Sequence, residues 1–535
     1  MITDGPERQR ALVSAMLDPS LYPHSPAGVE LRETNTSWVF LAGELAYKVK
    51  KAVSFAFLDY GTVEHRHEMC REEIRLNRRL APHIYLRVVG IARGRSGYHL
   101  TTEDDRDAVE YAIEMRRVAE ERSLESLIRG DLLQPGDLDA VARRLARFHA
   151  DAPLAPARFR RISVLTQSLE ENLRTLGEAG RRVLAATRLD AARRFTQAFM
   201  GANRERIEAR ARAGLVRECH GDLRAEHVIV PADDELYVYD CIEFNPELRY
   251  IDVASDLAFL IMDLTRLGAA DAASRLLAEY RRSGGDPGDD SLVSFFASYR
   301  AWVRAKVACL AAGDVSRGDS ERARSASEAR ELLRLGHRFA WAARLPLVIG
   351  ICGVAGSGKT TLATELGAAS GWPRLSSDLI RKRLAGIAPT ERADARHYSS
   401  EFTERTYREM GKAAQRSLER GNGVIVDATF HRRDEREAFR AGLGETVDLL
   451  FVECRAPAEI VAARVRNRES EPGRISDADL AVLERQLAQS DPLEEIPPRQ
   501  RIQVRTNAPV QDLLGEIEAS VDRLGWRVGE DRSPD

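Results

Sequence analysis

The pattern of hydrophobic and polar positions predicts a β-rich lobe near the start of the chain. Residues 36–53, TSWVFLAGELAYKVKKAV, alternate β-branched and aromatic residues with polar ones around Ala-Gly-Glu, which is typical of a hairpin. Residues 62–81 carry apolar side chains at helical spacing. Short strands are predicted near 85–92 and 97–101, followed by the apolar segment 110–118. This order indicates a small lobe with one helix.

Beyond residue 120 the pattern is mostly helical to about 215, and it then becomes mixed. It predicts strands at 227–231 and 236–242, and helices at 253–266, 270–283 and 291–312. The charged stretch 316–346 is helical at its end. After it, apolar strands alternate with helices at 374–377, 423–427, 447–453 and 501–505, as in a parallel sheet covered by helices.

The length of 535 residues exceeds what a single hydrophobic core organises. We predict an α+β domain of two lobes followed by a three-layer α/β domain with a mostly parallel sheet. The predicted parts are a first domain at 1–315 (small lobe about 30–115, helical large lobe about 116–315), a helical connector at 316–346, a second domain at 347–525 and a disordered tail at 526–535.

Composition narrows the class of protein. Hydrophobic residues make up 44% and charged residues 30%, with a net charge of -3, which argues against a generally basic nucleic-acid binder. The opening MITDGPERQR lacks the apolar run of a signal peptide, and no stretch approaches the roughly 20 apolar residues of a membrane span. The six cysteines form no CxxC pair, so neither a zinc site nor a disulfide framework is indicated. We expect a cytoplasmic protein without a membrane anchor.

The chain contains only seven lysines against a large excess of arginine. Because arginine cannot replace a compact ammonium at a tight phosphate site, each lysine is a candidate for such a site. Lys48, Lys50 and Lys51 cluster on the predicted hairpin, and Lys359 lies in a glycine loop.

This glycine loop, GVAGSGKTT, satisfies the pattern G-x-x-x-x-G-K-[ST] between an apolar strand and a helix. Its backbone N–H groups and the helix N-terminus predict a phosphate site, in which Lys359 reaches the β- and γ-phosphates and the Thr360 hydroxyl binds Mg²⁺. The predicted ATP-binding residues are Gly353, Gly356, Ser357, Gly358, Lys359, Thr360 and Thr361.

The segment after the next strand, SSDLIRK, sets Asp378 and Arg381 across the first turn of a helix. A carboxylate there can accept a hydroxyl proton, and a guanidinium can hold a transferring phosphate. Asp378 can instead simply cap the helix that begins at Leu379.

GVAGSGKTT, SSDLIR and VIVDATF, with a later arginine-rich segment, resemble the P-loop kinases related to polynucleotide kinase, zeta toxin and gluconate kinase, over about 345–510. The resemblance implies Asp378 as base with Arg381 as its partner, Asp427 on the metal side, and lid arginines at Arg464 and Arg468. Which of Arg464, Arg466 and Arg468 contact phosphate stays open, and the alternative to a lid role is a solvated helix face.

In the first half, the pieces Ala46-Tyr-Lys48, ECHGDLRAEHVIV at 218–230 and Tyr-Val-Tyr-Asp240 follow the order found in kinases. HGDL, LARFHADAP and DCIEFNPELRYIDVASDLA resemble the aminoglycoside phosphotransferase-like family over about 30–310, and this resemblance implies a protein-kinase-like fold. The residues it implies are Asp222 as base, Asp240 as metal ligand and Asp256 in a structural role. The A-x-K pattern itself places Lys48 at the nucleotide phosphates, and Lys50 is an alternative because strand alternation puts it on the same face. Glu72 or Glu73 of the following helix can orient this lysine, and helical register favours Glu73, which lies nearer the apolar face of Ile74–Leu76.

Two departures from that family affect this site. No glycine-rich loop precedes the lysine, and His227 stands where the family has a metal-binding asparagine. An imidazole nitrogen binds divalent ions but prefers softer metals than Mg²⁺, so His227 can be a ligand or can hold Asp222 or a phosphate.

The prediction is a bifunctional ATP- and Mg²⁺-dependent phosphotransferase that acts on a small-molecule hydroxyl. Three alternatives remain: a first domain that only senses a ligand and regulates the P-loop domain, a kinase for 5′-hydroxyl ends of nucleic acids, and an ATPase without an acceptor. The basic runs contain almost no aromatic residues, which makes nucleic-acid binding less favoured. The acceptor and the oligomeric state are left open.

Overall fold

The computed structural model describes residues 6–55, 58–95, 97–232, 235–444, 447–469 and 480–524. The chain forms two compact units. The first unit comprises Met1–Val164 and Ile207–Gly288, and the second comprises Leu165–Arg206 and Asp289–Asp535. The division into domains at 315 and 346 remains a prediction, and the predicted tail at 526–535 lies outside the described residues.

The elements are numbered in chain order. The strands are β1 (Val29–Glu33), β2 (Ser37–Ala42), β3 (Leu45–Lys50), β4 (Ser54–Phe55), β5 (Leu58–Asp59), β6 (Tyr85–Gly94), β7 (Gly97–Thr102), β8 (Ala108–Arg116), β9 (Val216–Glu218), β10 (Val228–Ile229), β11 (Tyr237–Val238), β12 (Tyr250–Asp252), β13 (Leu347–Cys352), β14 (Arg374–Ser376), β15 (Val424–Asp427), β16 (Asp448–Arg455) and β17 (Arg501–Arg505). The α-helices are α1 (Pro6–Met16), α2 (Val63–Asn77), α3 (Leu124–Arg129), α4 (Pro135–Asp151), α5 (Ile162–Gly180), α6 (Ala186–Ala202), α7 (Arg204–Arg212), α8 (Pro246–Arg249), α9 (Val253–Arg266), α10 (Ala270–Arg282), α11 (Asp290–Gly313), α12 (Asp319–Ala342), α13 (Lys359–Ser370), α14 (Ser377–Ala385), α15 (Ser400–Glu419), α16 (Arg433–Leu443), α17 (Ala458–Glu469), α18 (Leu480–Ala488) and α19 (Val510–Arg523).

The small lobe of the first unit is an antiparallel sheet in the order β1-β2-β3-β8-β6-β7. Its two faces pack against two different hydrophobic cores. Ala46 of β3 belongs to the core that includes Ile74 of α2, whereas Tyr47 and Val49 belong to the core that includes Leu12 of α1. Because side chains alternate along a strand, the even-numbered residues of β3 face α2.

The rest of the first unit is mainly helical and contains two small antiparallel ribbons, β9–β12 and β10–β11. Its most buried helix is α9, whose residues are buried from Val253 to Leu264. The segment after β9 holds His220 and Asp222, and the segment after β11 holds Asp240. The ribbons and α9 therefore place these segments beside each other.

The second unit contains a parallel five-stranded sheet in the order β14-β15-β13-β16-β17. Its central strand β13 is buried at every residue, because helices cover both faces, and this explains its uninterrupted apolar sequence LVIGIC. One core lies with α13 and α19, and the other with α15 and α16. The carboxyl ends of β13, β14 and β15 meet at one edge of the sheet, where ligands bind in such folds.

Helices from two other stretches of the chain complete the second unit. The stretch 316–346, predicted to be helical at its end, is helical over Asp319–Ala342, because apolar residues such as Leu332 and Leu333 pack it along α11. Helix α6 packs on α19. The predicted fold classes, α+β followed by α/β with a parallel sheet, are confirmed. Across the described residues, no helix combines the length and the apolar character needed to cross a membrane.

Candidate active sites

The glycine loop of the second unit lies between β13 and α13. Gly353 and Gly356 have positive φ angles of 136° and 76°. A Cβ atom at Gly353 would lie 2.7 Å from the carbonyl oxygen of Cys454, and one at Gly356 would lie 2.7 Å from that of Val461. Only glycine fits both positions, so the loop holds its backbone close to the neighbouring β16 and α17.

Lys359 is the first residue of α13, and its Nζ donates a hydrogen bond to the carbonyl oxygen of Val354 at 2.8 Å. Burial lowers the pKa of Lys359, and the carboxylate of Asp427 partly offsets this effect. Thr360 and Thr361 follow as exposed residues of the first turn of α13. The ammonium therefore lies inside the loop, where a phosphate can replace its present acceptor.

A cavity of 1460 Å³ opens beside this loop. Gly356, Lys359 and Thr360 line it together with Asp378 and Asp427. The structure thus gathers the predicted phosphate loop, base and metal-side carboxylate around one space.

The sheet topology explains how the two carboxylates reach this cavity. Asp427 is the last residue of β15, pairs in register with Ile351 of β13 and is only 7% exposed. The Nη1 atom of Arg374 lies 3.5 Å from an Asp427 carboxylate oxygen. Asp378 lies in the first turn of α14, directly after β14. Parallel strands in the order β14-β15-β13 therefore bring both residues to the glycine loop.

Arg381 is buried and lines the same cavity, but its contacts are with the segment before and at the start of α15. Its Nη1 donates to the carbonyl oxygen of His397 at 2.6 Å and to the Thr403 hydroxyl at 3.2 Å. The guanidinium carbon lies 4.8 Å from the centre of the Tyr398 ring. In this structure Arg381 holds the wall of the cavity opposite the glycine loop.

The structure describes the side chains of two of the three candidate lid arginines, Arg464 and Arg466. Arg464 donates to the carbonyl oxygen of Thr506 at 2.8 Å and to its hydroxyl at 3.3 Å, and this hydroxyl donates to the carbonyl oxygen of Ser357 at 2.5 Å. Arg464 therefore braces the glycine loop through Thr506. Arg466 is exposed, and the side chain of Arg468 lies outside the described residues.

The first unit brings Lys48, Glu73 and Asp240 together. The Nζ atom of Lys48 donates to both carboxylates at 2.8 Å. Burial opposes the charge of Lys48, but the carboxylates of Asp240 and Glu73 outweigh this effect and raise its pKa well above the usual value. Burial likewise opposes ionisation of Asp240, yet the nearby Lys48 holds the pKa of this carboxyl well below its usual range. Lys48 and Asp240 are therefore charged at neutral pH, whereas burial raises the pKa of the Glu73 carboxyl despite its two lysine partners.

The alternatives left open by the sequence differ in their contacts. Lys50, on the same face of β3, donates to the second oxygen of Glu73 at 2.6 Å and also contacts the Glu243 carboxylate. Glu72 accepts a hydrogen bond from Arg75 at 2.7 Å instead. Both lysines therefore reach Glu73, and Lys48 also reaches Asp240.

Asp222, the predicted base, is held by a neighbour that the sequence analysis did not single out. The Nε of Arg224 donates to the Asp222 carboxylate at 3.0 Å, and its Nη2 lies 3.1 Å from Nε2 of His227. The Nδ1 of His227 lies 2.9 Å from the carbonyl oxygen of Asp222. Because a carbonyl oxygen only accepts, Nδ1 carries the hydrogen and Nε2 has the lone pair, 3.7 Å from Asp240. Arg224 could have been noted as the cation two residues after the base.

Asp256 fixes the loop that carries Asp222. Its carboxylate accepts the N–H groups of His220 at 2.9 Å and Gly221 at 2.8 Å, and it lies 3.1 Å from Nε2 of His149. His149 is itself buried in the core. A buried carboxylate with these partners orients the loop from beneath.

Comparisons with known proteins match both segments. A sequence model of the Phosphotransferase enzyme family matches residues 47–292, and one of the AAA domain matches residues 348–493. Uncharacterized proteins of Mycobacterium tuberculosis and Mycobacterium bovis are each 31% identical over 444 residues, which is 82% of this chain and 86% of the relative.

Two solved structures each align with part of the chain. A choline/ethanolamine kinase family protein from Mesorhizobium loti aligns with 15% identity over 61% of this chain and 99% of its own, with a TM-score of 0.36. A gluconokinase from Sinorhizobium meliloti aligns with 23% identity over 34% of this chain and 95% of its own, with a TM-score of 0.26. The two segments matched by the family models contain the two groups of residues described above.

Proposed function

Because the chain belongs to the same family as its mycobacterial relatives, and joins a phosphotransferase-family domain to a P-loop kinase domain of the AAA type, we propose that it transfers the γ-phosphate of ATP to a hydroxyl group of a small molecule. The observation that carries this proposal is the cavity shared by Lys359, Asp378 and Asp427. Phosphoryl transfer to a hydroxyl requires a group that binds the phosphates of ATP and a group that accepts the proton of the hydroxyl, and both line this cavity.

In the second unit, the loop N–H groups and Lys359 bind the phosphates of ATP, and Asp378 accepts the proton of the attacking hydroxyl. Arg381 keeps the opposite wall in place through its hydrogen bond to the His397 carbonyl. This wall and the glycine loop enclose the space for the acceptor.

The oxygen atoms near the loop fit Mg²⁺. The Thr360 hydroxyl and the Asp427 carboxylate both line the cavity, and hard oxygen ligands are those that Mg²⁺ prefers. When bound, the ion would neutralise charge on the phosphates. Since ATP is a cytoplasmic metabolite, the proposal implies a cytoplasmic enzyme.

The first unit supports a second phosphotransferase site. Lys48, held by Glu73, is placed to contact nucleotide phosphates, and Asp222 is the base. The Asp240 carboxylate and the Nε2 atom of His227 would hold a metal ion once Nε2 releases the N–H of Arg224, and this mixed oxygen and nitrogen set suits a softer ion than Mg²⁺.

A ligand-sensing role for the first unit is the second candidate, and one observation favours it. The carboxylate of Asp222 is already paired with the half-buried guanidinium of Arg224, so it is engaged before an acceptor hydroxyl arrives. In this role the first unit would bind a ligand and regulate the second.

A metabolite extract incubated with ATP tests both candidates. Wild type, Lys359→Ala and Asp222→Ala are compared by mass spectrometry for compounds that gain one phosphoryl group. We expect Lys359→Ala to abolish one product, at least about a hundredfold, because loop phosphate contacts act on the transition state. If Asp222→Ala abolishes a different product, the first unit is a second enzyme. If it only changes the rate of the first product, the first unit is a sensor.

Two controls separate the remaining alternatives. Phosphorylation of 5′-hydroxyl oligonucleotides, with binding that falls steeply with salt, would favour a nucleic-acid kinase. Turnover of ATP that Asp378→Asn leaves intact would favour an ATPase without an acceptor. Products that persist in both Lys359→Ala and Asp222→Ala would contradict the proposal.

A further inference from the structure

Helix α18 presents one face to the cavity of the second unit. Its residues Val482, Arg485 and Gln486, with Gln489 just beyond its end, all line the cavity. Their spacing of three and four residues places them on one side of a helix. Leu483 of the same helix is buried in a small core with Ala355, Val461 and Val465. The helix is therefore anchored next to the glycine loop.

Gln486 contacts the glycine loop directly. Its Oε1 accepts a hydrogen bond from the backbone N–H of Ala355 at 2.8 Å. Because a backbone N–H can only donate, the oxygen of the side-chain amide must face Ala355. The NH₂ group then points away from the loop backbone. Within the described part of the chain it has no hydrogen-bond partner, and it is not buried.

This orientation places two unused N–H donors where a phosphate is expected. Ala355 and Gln486 line the same cavity as Asp378, which is the side from which an acceptor approaches the phosphate chain. The phosphate nearest to that side is the terminal one. The exposed Arg485 of the same helix face adds positive charge there.

We propose that Gln486 binds the γ-phosphate of ATP through its Nε2, and that the N–H of Ala355 sets the orientation of its amide. This inference rests on the proposed kinase function of the second unit. It adds a phosphate-binding residue outside the glycine loop and outside the arginines predicted from the sequence.

The competing explanation is that Gln486 only ties α18 to the loop. Two substitutions separate these roles. Gln486→Glu keeps an oxygen that can accept the Ala355 N–H, but it removes both donors and adds a negative charge. Gln486→Leu removes the contact with Ala355 as well as the donors.

Nucleotide binding is measured by calorimetry on the full-length chain, with ADP and with a non-hydrolysable β,γ-imido analogue of ATP. All proteins carry Lys48→Ala, so that the site in the first unit does not contribute. If the Lys48→Ala protein itself binds neither nucleotide, the proposed function of the second unit fails. If it binds both, the effect of Gln486 can be read on its own.

We expect Gln486→Glu to weaken binding of the ATP analogue by about tenfold or more and binding of ADP by less than about threefold, because a charge-assisted hydrogen bond to the terminal phosphate is lost. Gln489→Glu adds the same charge to the same helix face without a contact to the loop, and its effect should be smaller. Circular dichroism checks that each variant is folded.

Two results would overturn the inference. One is Gln486→Glu binding like its parent while Gln486→Leu weakens ADP and the analogue equally, as a tie between helix and loop predicts. The other is Gln489→Glu matching Gln486→Glu. If Gln486→Glu does not fold, Gln486→Leu decides: a selective loss for the analogue supports the inference, and an equal loss for both nucleotides contradicts it.

Discussion

At the residue scale, Glu218 joins α2 to the large lobe of the first unit. It accepts hydrogen bonds from Arg75 at 2.7 Å and from the Tyr250 hydroxyl at 3.1 Å, and the Nε of Arg249 lies at 3.4 Å. Burial opposes ionisation, but the hydrogen bond from Arg75 and the charges of Arg79, Arg75 and Arg249 outweigh it and lower the pKa of Glu218 to about 2. The ionised carboxylate is thus part of the folded state.

This lowered pKa predicts a pH dependence of stability. A glutamate in the unfolded chain has a pKa of about 4.3, so the contribution of Glu218 is complete above that pH and is lost as the pH falls toward 2. Between pH 5 and pH 3 we expect the wild type to lose about 2 kcal/mol through this group. In urea denaturation, the stability difference between wild type and Glu218→Gln should shrink over this interval. A difference that stays constant with pH would contradict the assignment.

Some of the residue-scale features could be predicted from the sequence, and others could not. Strand alternation placed Lys48 and Lys50 on one face, and helical register favoured Glu73 over Glu72. The partners of Arg224 and Arg381 depend on tertiary packing, because a long flexible side chain can reach several acceptors in different directions. Gln486 carries no sequence signal at all, since its role arises only when α18 lies beside the glycine loop.

At the element scale, α15 and α16 approach each other closely at two glycines. A Cβ atom at Gly442 would lie 2.1 Å from the carbonyl oxygen of Arg408, and one at Gly411 would lie 2.2 Å from that of Phe439. These helices border the cavity, so their separation helps to set its width.

We expect Gly442→Ala to destabilise the second unit by about 2 kcal/mol or more, because the added methyl group must push the two backbones apart. Gly201→Ala is the matched control, since Gly201 is in helix α6 and a Cβ atom there meets nothing within 4 Å. Alanine at that position should leave stability unchanged or raise it by up to about 1 kcal/mol. Thermal unfolding of both variants measures these changes in stability. Equal effects of the two substitutions would show that the helices α15 and α16 leave room for a methyl group at Gly442.

Elements with long, regular patterns were predictable, and short or amphipathic ones less so. The last strand of the parallel sheet lies at Arg501–Arg505, as predicted, because Ile502 and Val504 alternate with polar residues along it, although only Val504 is buried. The helix Asp319–Ala342 is longer than its pattern suggested, because its charged first half hides the few apolar residues that pack on α11. Helix α1 has only Leu12, Val13 and Met16 to mark its buried side.

At the scale of the whole molecule, the second unit is built from two separate stretches of chain. Trp341, near the end of α12, is fully buried in the same core as β13 and α19. Arg344 pairs with Asp522 of α19 at 2.8 Å, and both side chains are buried. The P-loop sheet therefore depends on residues of the stretch 316–346, which precedes it in the chain.

A fragment of residues 347–535 should accordingly be less stable than the same residues in the full chain. Loss of Trp341 and Arg344 exposes apolar surface of α13 and α19 and leaves the Asp522 carboxylate unpaired, which we expect to cost about 4 kcal/mol or more. Hydrogen exchange of peptides from α19 measures the effect directly. Equal protection in the fragment and in the full chain would show that the P-loop part is self-sufficient.

Lys48 and Lys359, the lysines of the two proposed phosphate sites, are both hydrogen-bonded to protein groups, and this affects which anions can bind there. Lys359 donates to the Val354 carbonyl and Lys48 donates to Glu73 and Asp240, so each ammonium already has protein partners. An incoming anion must compete with these partners. A single inorganic phosphate gains little from such an exchange, whereas a nucleotide replaces several contacts at once. If both sites bind ATP as proposed, this competition selects the nucleotide over free inorganic phosphate.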